Sequence, residues 1–400
     1  MLSHEVVQLK ILIFTNSLAG GGAERAAATL ANFWARQGWG VTIVTLNPQS
    51  EDFYILDPLV RRMSLNLSGG SSNVLHALLR NARCVAGLRR IILQIRPAVV
   101  FSMMSTPNVL LAFASRGISN LCTIGSERCY PPHAPLGRIW DALRSRMYGR
   151  LSAVVALTHE CAEWIRTNSS ATRVVVIPNA TVWPLPDNTP RINPHSLCPP
   201  GRKVLLAVGR LDTVKNFTVL VSAFSELAEK YPDWDLVILG EGPEREVLES
   251  TVRDKALETR ILLPGIAGNV GEWYGRADLY VMTSRSEGFP NALAEALSHG
   301  LPAVSFDCDT GPRDIIRHGI DGLLVPANDS AALTEALDRV MGDAHLRRRL
   351  AIRAQDARER FSIERVGKMW EELFIQLSGE RSLAKVSSNI PATKGGAHEF

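Results

Sequence analysis

No stretch of this 400-residue chain approaches the roughly 18 consecutive apolar residues that a membrane-spanning helix needs. The longest apolar pieces, such as Val109-Leu110-Leu111-Ala112-Phe113-Ala114, have the size of a buried strand or a short helix. The first residues, Met-Leu-Ser-His-Glu, lack the basic segment and apolar run of a secretory signal. Those two absences lead us to expect a cytoplasmic protein. The six cysteines (Cys84, Cys122, Cys129, Cys161, Cys198, Cys308) contain no C-x-x-C pair. Neither a zinc site nor a disulfide framework is indicated, and they read as free buried thiols. His133, His159 and His299 form no cluster with ligand spacing, which leaves them surface or packing roles.

A dinucleotide fingerprint is missing too. The glycines at Gly20-Gly21-Gly22 do not fit G-x-G-x-x-G, and the second apolar run ends Val44-Thr45-Leu46-Asn47 without a carboxylate for a ribose. That argues against a nicotinamide oxidoreductase.

What is present is a chain 46% apolar and 21% charged, able to bury sizeable cores and long enough for two domains. Its net charge of +4 is unevenly spread. Residues 1–200 hold 19 Lys+Arg against 10 Asp+Glu, so the second half is acidic. The basic half suggests an anionic neighbour. It carries no nucleic-acid motif, so we expect no nucleic acid, and rather a phospholipid surface or a phosphate-bearing acceptor.

Short apolar runs alternate with helical segments along both halves. Lys10–Phe14, Val41–Val44, Ala98–Phe101 and Ala153–Leu157 are separated by stretches such as the helical one from Glu24 to Arg36. Fully apolar strands of this kind belong to parallel sheets covered on both faces. Residues 183–200 hold six prolines in eighteen positions and read as a linker. The alternation then restarts at Val204–Val208 and continues through Leu236–Leu239, Ile261–Leu263, Leu279–Met282, Ala303–Phe306 and Gly322–Val325. The expected organisation is an α/β fold of two doubly wound, Rossmann-like domains facing across a cleft. Residues 1–182 form the first, 183–200 the linker and 201–376 the second. The last helix is expected to pack back on the first domain, and a tail at 377–400 to be disordered. Ligands of such sheets sit at the carboxyl ends of the strands.

Three motifs fall at those ends. Asn16 to Arg25 (NSLAGGGAER) links the first strand to the first helix, where glycines admit close backbone approach and a helix N-terminus favours phosphate. A tight turn without a ligand would have the same appearance. Val208 to Asn216 (VGRLDTVKN) puts Arg210 and Lys215 five residues apart in the equivalent loop of the second domain. Such a pair suits a diphosphate, one as a fork and one as a point charge, or is a pair of solvated charges. Ser284 to Ala296 (SRSEGFPNALAEA) places Glu287 in a strand-end loop and Glu295 about two turns further on. Glu287 could also simply favour the helix dipole. Glu295 among Ala294, Ala296 and Leu297 stands out in an otherwise apolar helix. Asp307-Cys308-Asp309 resembles a D-x-D metal motif, yet it precedes Gly311-Pro312 in a loop, and no metal site is assigned.

These motifs in this order resemble family 4 of the glycosyltransferases, which have the GT-B fold. The resemblance runs from about residue 9 to 376 and includes G-G-x-E-R, V-G-R…K, Glu287-x7-Glu295 and G-x-L-V-P at 322–326. It is greatest to bacterial enzymes that assemble lipid-linked or surface oligosaccharides, whose acceptor-side loop often reads as Ser126-Glu127-Arg128-Cys129-Tyr130-Pro131 does. The resemblance implies a retaining, metal-independent transferase with no cofactor. Its partners would be a nucleotide-sugar donor, UDP before GDP, and a glycan or polyprenyl-diphosphate-linked acceptor.

By the same resemblance, Arg210 and Lys215 meet the diphosphate and Glu287 the donor sugar, these three being catalytic. Glu295 takes the nucleotide ribose. Backbone N–H groups around Phe289, Asn291 and Ala292 hold phosphate, Gly21 and Gly22 close from the other domain, and Gly265 and Gly288 join the donor-binding set. Glu127 and Arg128 fall on the acceptor side, where many relatives have a histidine that this chain lacks. A non-hydrolysing nucleotide-sugar epimerase of the same fold and an inactive scaffold are the alternatives.

Leu136–Leu151 reads as an amphipathic helix with Ile139, Trp140, Leu143, Met147 and Leu151 on one side and Arg138, Arg144, Arg146 and Arg150 between them. Residues 78–96 add Arg80, Arg83, Arg89, Arg90 and Arg96. The pattern fits a helix lying at the anionic inner face of the cytoplasmic membrane, or one facing a core with a solvated basic side.

Overall fold

The computed structural model describes residues 9–67, 69 and 73–388. The first domain carries seven parallel strands: β1 (Lys10–Thr15), β2 (Gly40–Thr45), β3 (Arg61–Ser64), β4 (Val99–Met103), β5 (Cys122–Ser126), β6 (Ala153–Ala156) and β7 (Val174–Val176). Their order across the sheet is β3-β2-β1-β4-β5-β6-β7. The second carries β8 (Lys203–Val208), β9 (Trp234–Leu239), β10 (Ile261–Gly265), β11 (Leu279–Met282), β12 (Ala303–Asp307) and β13 (Gly322–Pro326), ordered β10-β9-β8-β11-β12-β13. Each order reverses beside its first strand, β1 or β8, which is where ligands of doubly wound sheets bind.

Burial explains why the apolar runs became strands. Ile11 and Ile13 of β1 face one buried cluster, Leu12 and Phe14 another, so both faces of the strand are covered. Helix Gly22–Arg36 lays Ala27, Leu30, Ala31 and Trp34 on the first face. Helices Val74–Ile95, Ser105–Ala114 and Arg138–Met147 lie on the second.

The final helix, Ile363–Ser388, leaves the second domain and packs on the first. Val366, Trp370, Leu373, Phe374 and Leu377 join the cluster of Ile11, Trp34 and Phe101. The rings of Phe101 and Trp370 stand 4.9 Å apart, and those of Trp34 and Phe374 5.5 Å. Leu377 is buried where this apolar side seals the sheet, and the helix runs on to Ser388. The expected disordered tail therefore does not begin at 377, and residues 389–400 lie outside the described ones.

The proline-rich segment is not a free tether. The Asn269 side chain accepts from Ile192 N–H (2.9 Å) and donates to its carbonyl (3.0 Å). Cys198 is fully buried. Beside Thr181 the chain crosses back, the Thr181 amide donating to the Phe361 carbonyl at 2.8 Å. Two adjacent crossings thus join the domains.

Candidate active site

The loops after β1, β5, β8, β11 and β12 meet between the domains. Two glycines allow this. A Cβ on Gly288 would stand 2.4 Å from the Arg128 carbonyl of the opposite domain, and one on Gly22 3.2 Å from the Asn291 amide nitrogen. Only glycine lets the first pair of backbones come so close. Helix Asn291–Ser298 thus points its N-terminal turn, where backbone N–H groups lack intrahelical acceptors, at the glycine loop of the first domain.

Lys215 and Glu287, from different loops of the second domain, form an ion pair with Nζ 2.6 Å from Oε1. Both are largely buried, at 24% and 12% side-chain exposure. Arg210 behaves differently. Its side chain is 74% exposed and pairs with Asp212 at 2.6 Å, so the structure brings Lys215, not Arg210, to Glu287. The Glu287 carbonyl accepts from the Thr310 hydroxyl, which pins the loop.

Glu295 lies one turn into its helix and is buried. Arg25 of the first domain pairs with it, and the Tyr274 hydroxyl lies 3.3 Å from its other oxygen. The Glu295 carboxylate holds the Arg25 guanidinium charged, and burial raises the Tyr274 phenol well above its ordinary range. Asn291 accepts from Asn179 at 3.0 Å, and Asn179 accepts from Arg128 at 2.9 Å, a chain of contacts that also crosses the cleft. Phe289 is buried against Phe361. Ala292 is half-buried beside it. Gly265 ends β10 at φ +98°, its carbonyl accepting from Gly240 N–H at 2.9 Å. Gly21 precedes the first helix, and its carbonyl accepts from the Tyr54 hydroxyl.

Glu127 and Arg128 are buried supports of their loop rather than open contacts. Glu127 accepts from Ser105 (2.8 Å) and Tyr148 (2.6 Å), and burial pushes its carboxyl above the ordinary range. Burial also lowers the Arg128 guanidinium to about 10.

Several cross-cleft residues escaped the sequence. Two of the histidines left to surface or packing roles bridge the domains instead. His133 lies 2.6 Å from the Ser286 hydroxyl and 3.0 Å from Asp309, and His159 2.6 Å from Asp314. Asp307 pairs with Arg313 at 2.9 Å, so both acids of the D-x-D triplet have basic partners. Arg25 carried the one usable signal, since it belongs to the quoted G-G-x-E-R turn.

Of the two readings of Leu136–Leu151, the contacts favour the core-facing helix, although Ile139 is exposed. Trp140, Leu143 and Met147 pack against the first domain's core. Arg144 is buried, pairs with Asp141 at 2.8 Å and stands 5.0 Å from the Trp164 ring. Its burial follows from helix His159–Asn168 crossing that side, which no local periodicity reports.

Among known families, residues 21–180 match the glycosyl transferase 4-like domain and residues 188–357 the glycosyl transferases group 1. An N-acetylgalactosaminyltransferase of Campylobacter jejuni named for an undecaprenol-diphosphate-linked glycan is 26% identical over 92% of this chain and 99% of its own. An exopolysaccharide phosphotransferase of Streptomyces coelicolor is 34% identical over 69% of this chain, which spans only 28% of that longer protein. Among solved structures, a sucrose-phosphate synthase from Thermosynechococcus elongatus superposes over 93% of this chain and all of its own with a TM-score of 0.78 at 19% identity. The Anabaena protein HepE, solved with UDP and glucose, covers 91% of this chain and 99% of its own with a TM-score of 0.71, also at 19% identity.

Proposed function

From the premise that this chain is a GT-B glycosyltransferase belonging to the group 1 and 4-like families, we propose that it moves a hexose or N-acetylhexosamine from a UDP-sugar, with retention, onto a lipid-linked glycan in bacterial polysaccharide assembly. The observation that carries this reading is the Lys215–Glu287 pair. It stands at the carboxyl ends of the second domain's strands, beside a helix N-terminus that the glycines of the first domain approach. The HepE structure named for UDP and glucose and the Campylobacter relative named for an undecaprenol-diphosphate-linked acceptor support the donor and acceptor classes.

In this reading the diphosphate lies at the N-terminal turn of helix Asn291–Ser298. Lys215 and Arg210 offset the negative charge that develops as the bond between sugar C1 and phosphate oxygen breaks. Glu287 holds donor-sugar hydroxyls, and Glu295 the ribose. The acceptor hydroxyl attacks from the face the phosphate leaves, and its proton passes to that phosphate. No metal is needed for charge neutralisation. Contact between the domains keeps water from the reacting carbon.

The enzyme works at the inner leaflet, and helix Val74–Ile95 is the contact. Leu75, Leu78, Leu79 and Leu93 are 46–65% exposed on its outer side. The helix carries four arginines and no acidic residue. No helix of the described residues is long and apolar enough to cross a membrane. Incubation with labelled UDP-sugars and lipid-linked acceptor tests the proposal. Label in the lipid phase supports it, whereas interconverted sugar without transfer would indicate an epimerase.

A further inference from the structure

Arg25 and Glu295 stand at matching places on facing helices. Each lies about one turn inside a helix that begins at the cleft, Gly22–Arg36 in one domain and Asn291–Ser298 in the other. At the mouths of these helices Gly22 meets Asn291, and one turn further in the two charged side chains meet each other. Glu295 is buried with Tyr274 beside its second oxygen, so both of its oxygens are engaged by protein groups. A ribose diol needs that same carboxylate. Each oxygen keeps a second lone pair, but only 7% of the Glu295 side chain is exposed, so a diol reaches it only where Arg25, its cover from the first domain, gives way.

Resting on the reading that Glu295 receives the ribose, we propose that Arg25 is a displaceable placeholder that changes partner when the donor enters. In the free enzyme its guanidinium holds Glu295 and draws the domains together. On nucleotide binding the ribose hydroxyls take the carboxylate, and the guanidinium moves toward the helix mouths. The distance is four residues of helix rise, about 6 Å. There it meets the diphosphate, to which its planar fork is suited. Arg25 then contributes from the first domain what Arg210 and Lys215 contribute from the second, and the domains close on the donor itself.

The exchange predicts opposite effects on two ligands that differ only in phosphate. Titration of Arg25→Gln with uridine and with UDP is the experiment, or with guanosine and GDP if the wild type binds that pair more tightly. Removing the competitor for Glu295 should tighten nucleoside binding roughly two- to fivefold, the range of a partly exposed ion pair. Removing a charge-assisted phosphate contact should weaken the diphosphate about tenfold. Arg25→Lys should recover part of the diphosphate affinity. A residue that merely latches the domains would shift both ligands the same way, and that result, or unchanged diphosphate binding, overturns the proposal. Glu295→Gln separates the two readings. If it leaves nucleoside affinity unchanged, the ribose assignment itself fails.

Discussion

The ammonium of Lys215 lies 2.6 Å from a carboxylate oxygen of Glu287, tying the loop after β8 to the loop after β11. The pair is largely buried, so the cost of desolvating both charges offsets most of their attraction and its net share of fold stability is small. Its value is positional, since each member orients the other where a donor sugar and its phosphate would meet. Glu287→Gln keeps the shape and removes the charge. Transfer should fall by more than tenfold with little change in melting temperature. Retention of over a tenth of the activity, a loss under ~1.4 kcal/mol, would show that the carboxylate has no important part in the transition state.

Lys215→Ala and Arg210→Ala should both weaken binding of UDP more than of uridine, because both are assigned to phosphate. Arg210 is the cleaner probe. Its side chain is mostly exposed and its partner Asp212 lies in the same loop, so its loss should leave the fold intact. Equal losses for the two ligands would mean that these cations serve structure. Activity should survive EDTA, and strict dependence on manganese would reopen Asp307 and Asp309 as ligands.

How much of this could be read from the residues varied with the range of the interaction. The buried strands were legible because both faces of a parallel sheet demand apolar side chains in sequence, as in β1 and β8. Edge strand β3, with sequence RRMS, and β5, with CTIGS, carry no such run. Glu295 was legible as a charge in an apolar helix. Its partner Arg25 is 270 residues away, and Asp314, the partner of His159, is 155 residues away, so no spacing rule reaches them. Arg144 shows the converse. Its local period marks a solvated face, and a helix from elsewhere in the chain covers it.

Glu127 offers a test by pH. Burial is the largest influence on its carboxyl and raises it from an ordinary value near 4.5, while the bonds from Tyr148 and Ser105 pull the other way. Between the ordinary and the raised value the folded protein binds more protons than the unfolded chain. Stability must therefore fall as pH rises through that window. Glu127→Gln, neutral throughout and still able to accept from Tyr148, should flatten melting temperature against pH above the ordinary carboxylate range. Parallel curves for variant and wild type would show that Glu127 is ionised in the fold.

The membrane contact assigned to helix Val74–Ile95 needs both its parts, since a few apolar side chains or a few charges alone give only weak attachment. Leu75, Leu78 and Leu79 recur at helical spacing on the outer side, Arg83 and Arg90 are exposed along the same helix, and Arg138 and Arg146 are exposed on a helix of the same layer. Each cation near an anionic leaflet adds about 1 kcal/mol. The wild type should cosediment with vesicles containing anionic lipid and less with neutral ones. Changing the three leucines to Gln, or the four arginines to Gln, should release it. Either set should lower transfer to lipid-linked acceptor while sparing slow hydrolysis of the donor. Salt should mimic the arginine variant in part, because such attraction decays over about 8–10 Å at 0.1–0.15 M ionic strength. Arg144→Gln is the internal control. That side chain is buried against Asp141 and Trp164, so its loss should lower the melting temperature and leave vesicle binding alone. If the leucine variant binds vesicles as well as the wild type does, this helix is not the contact and its outer leucines serve another surface.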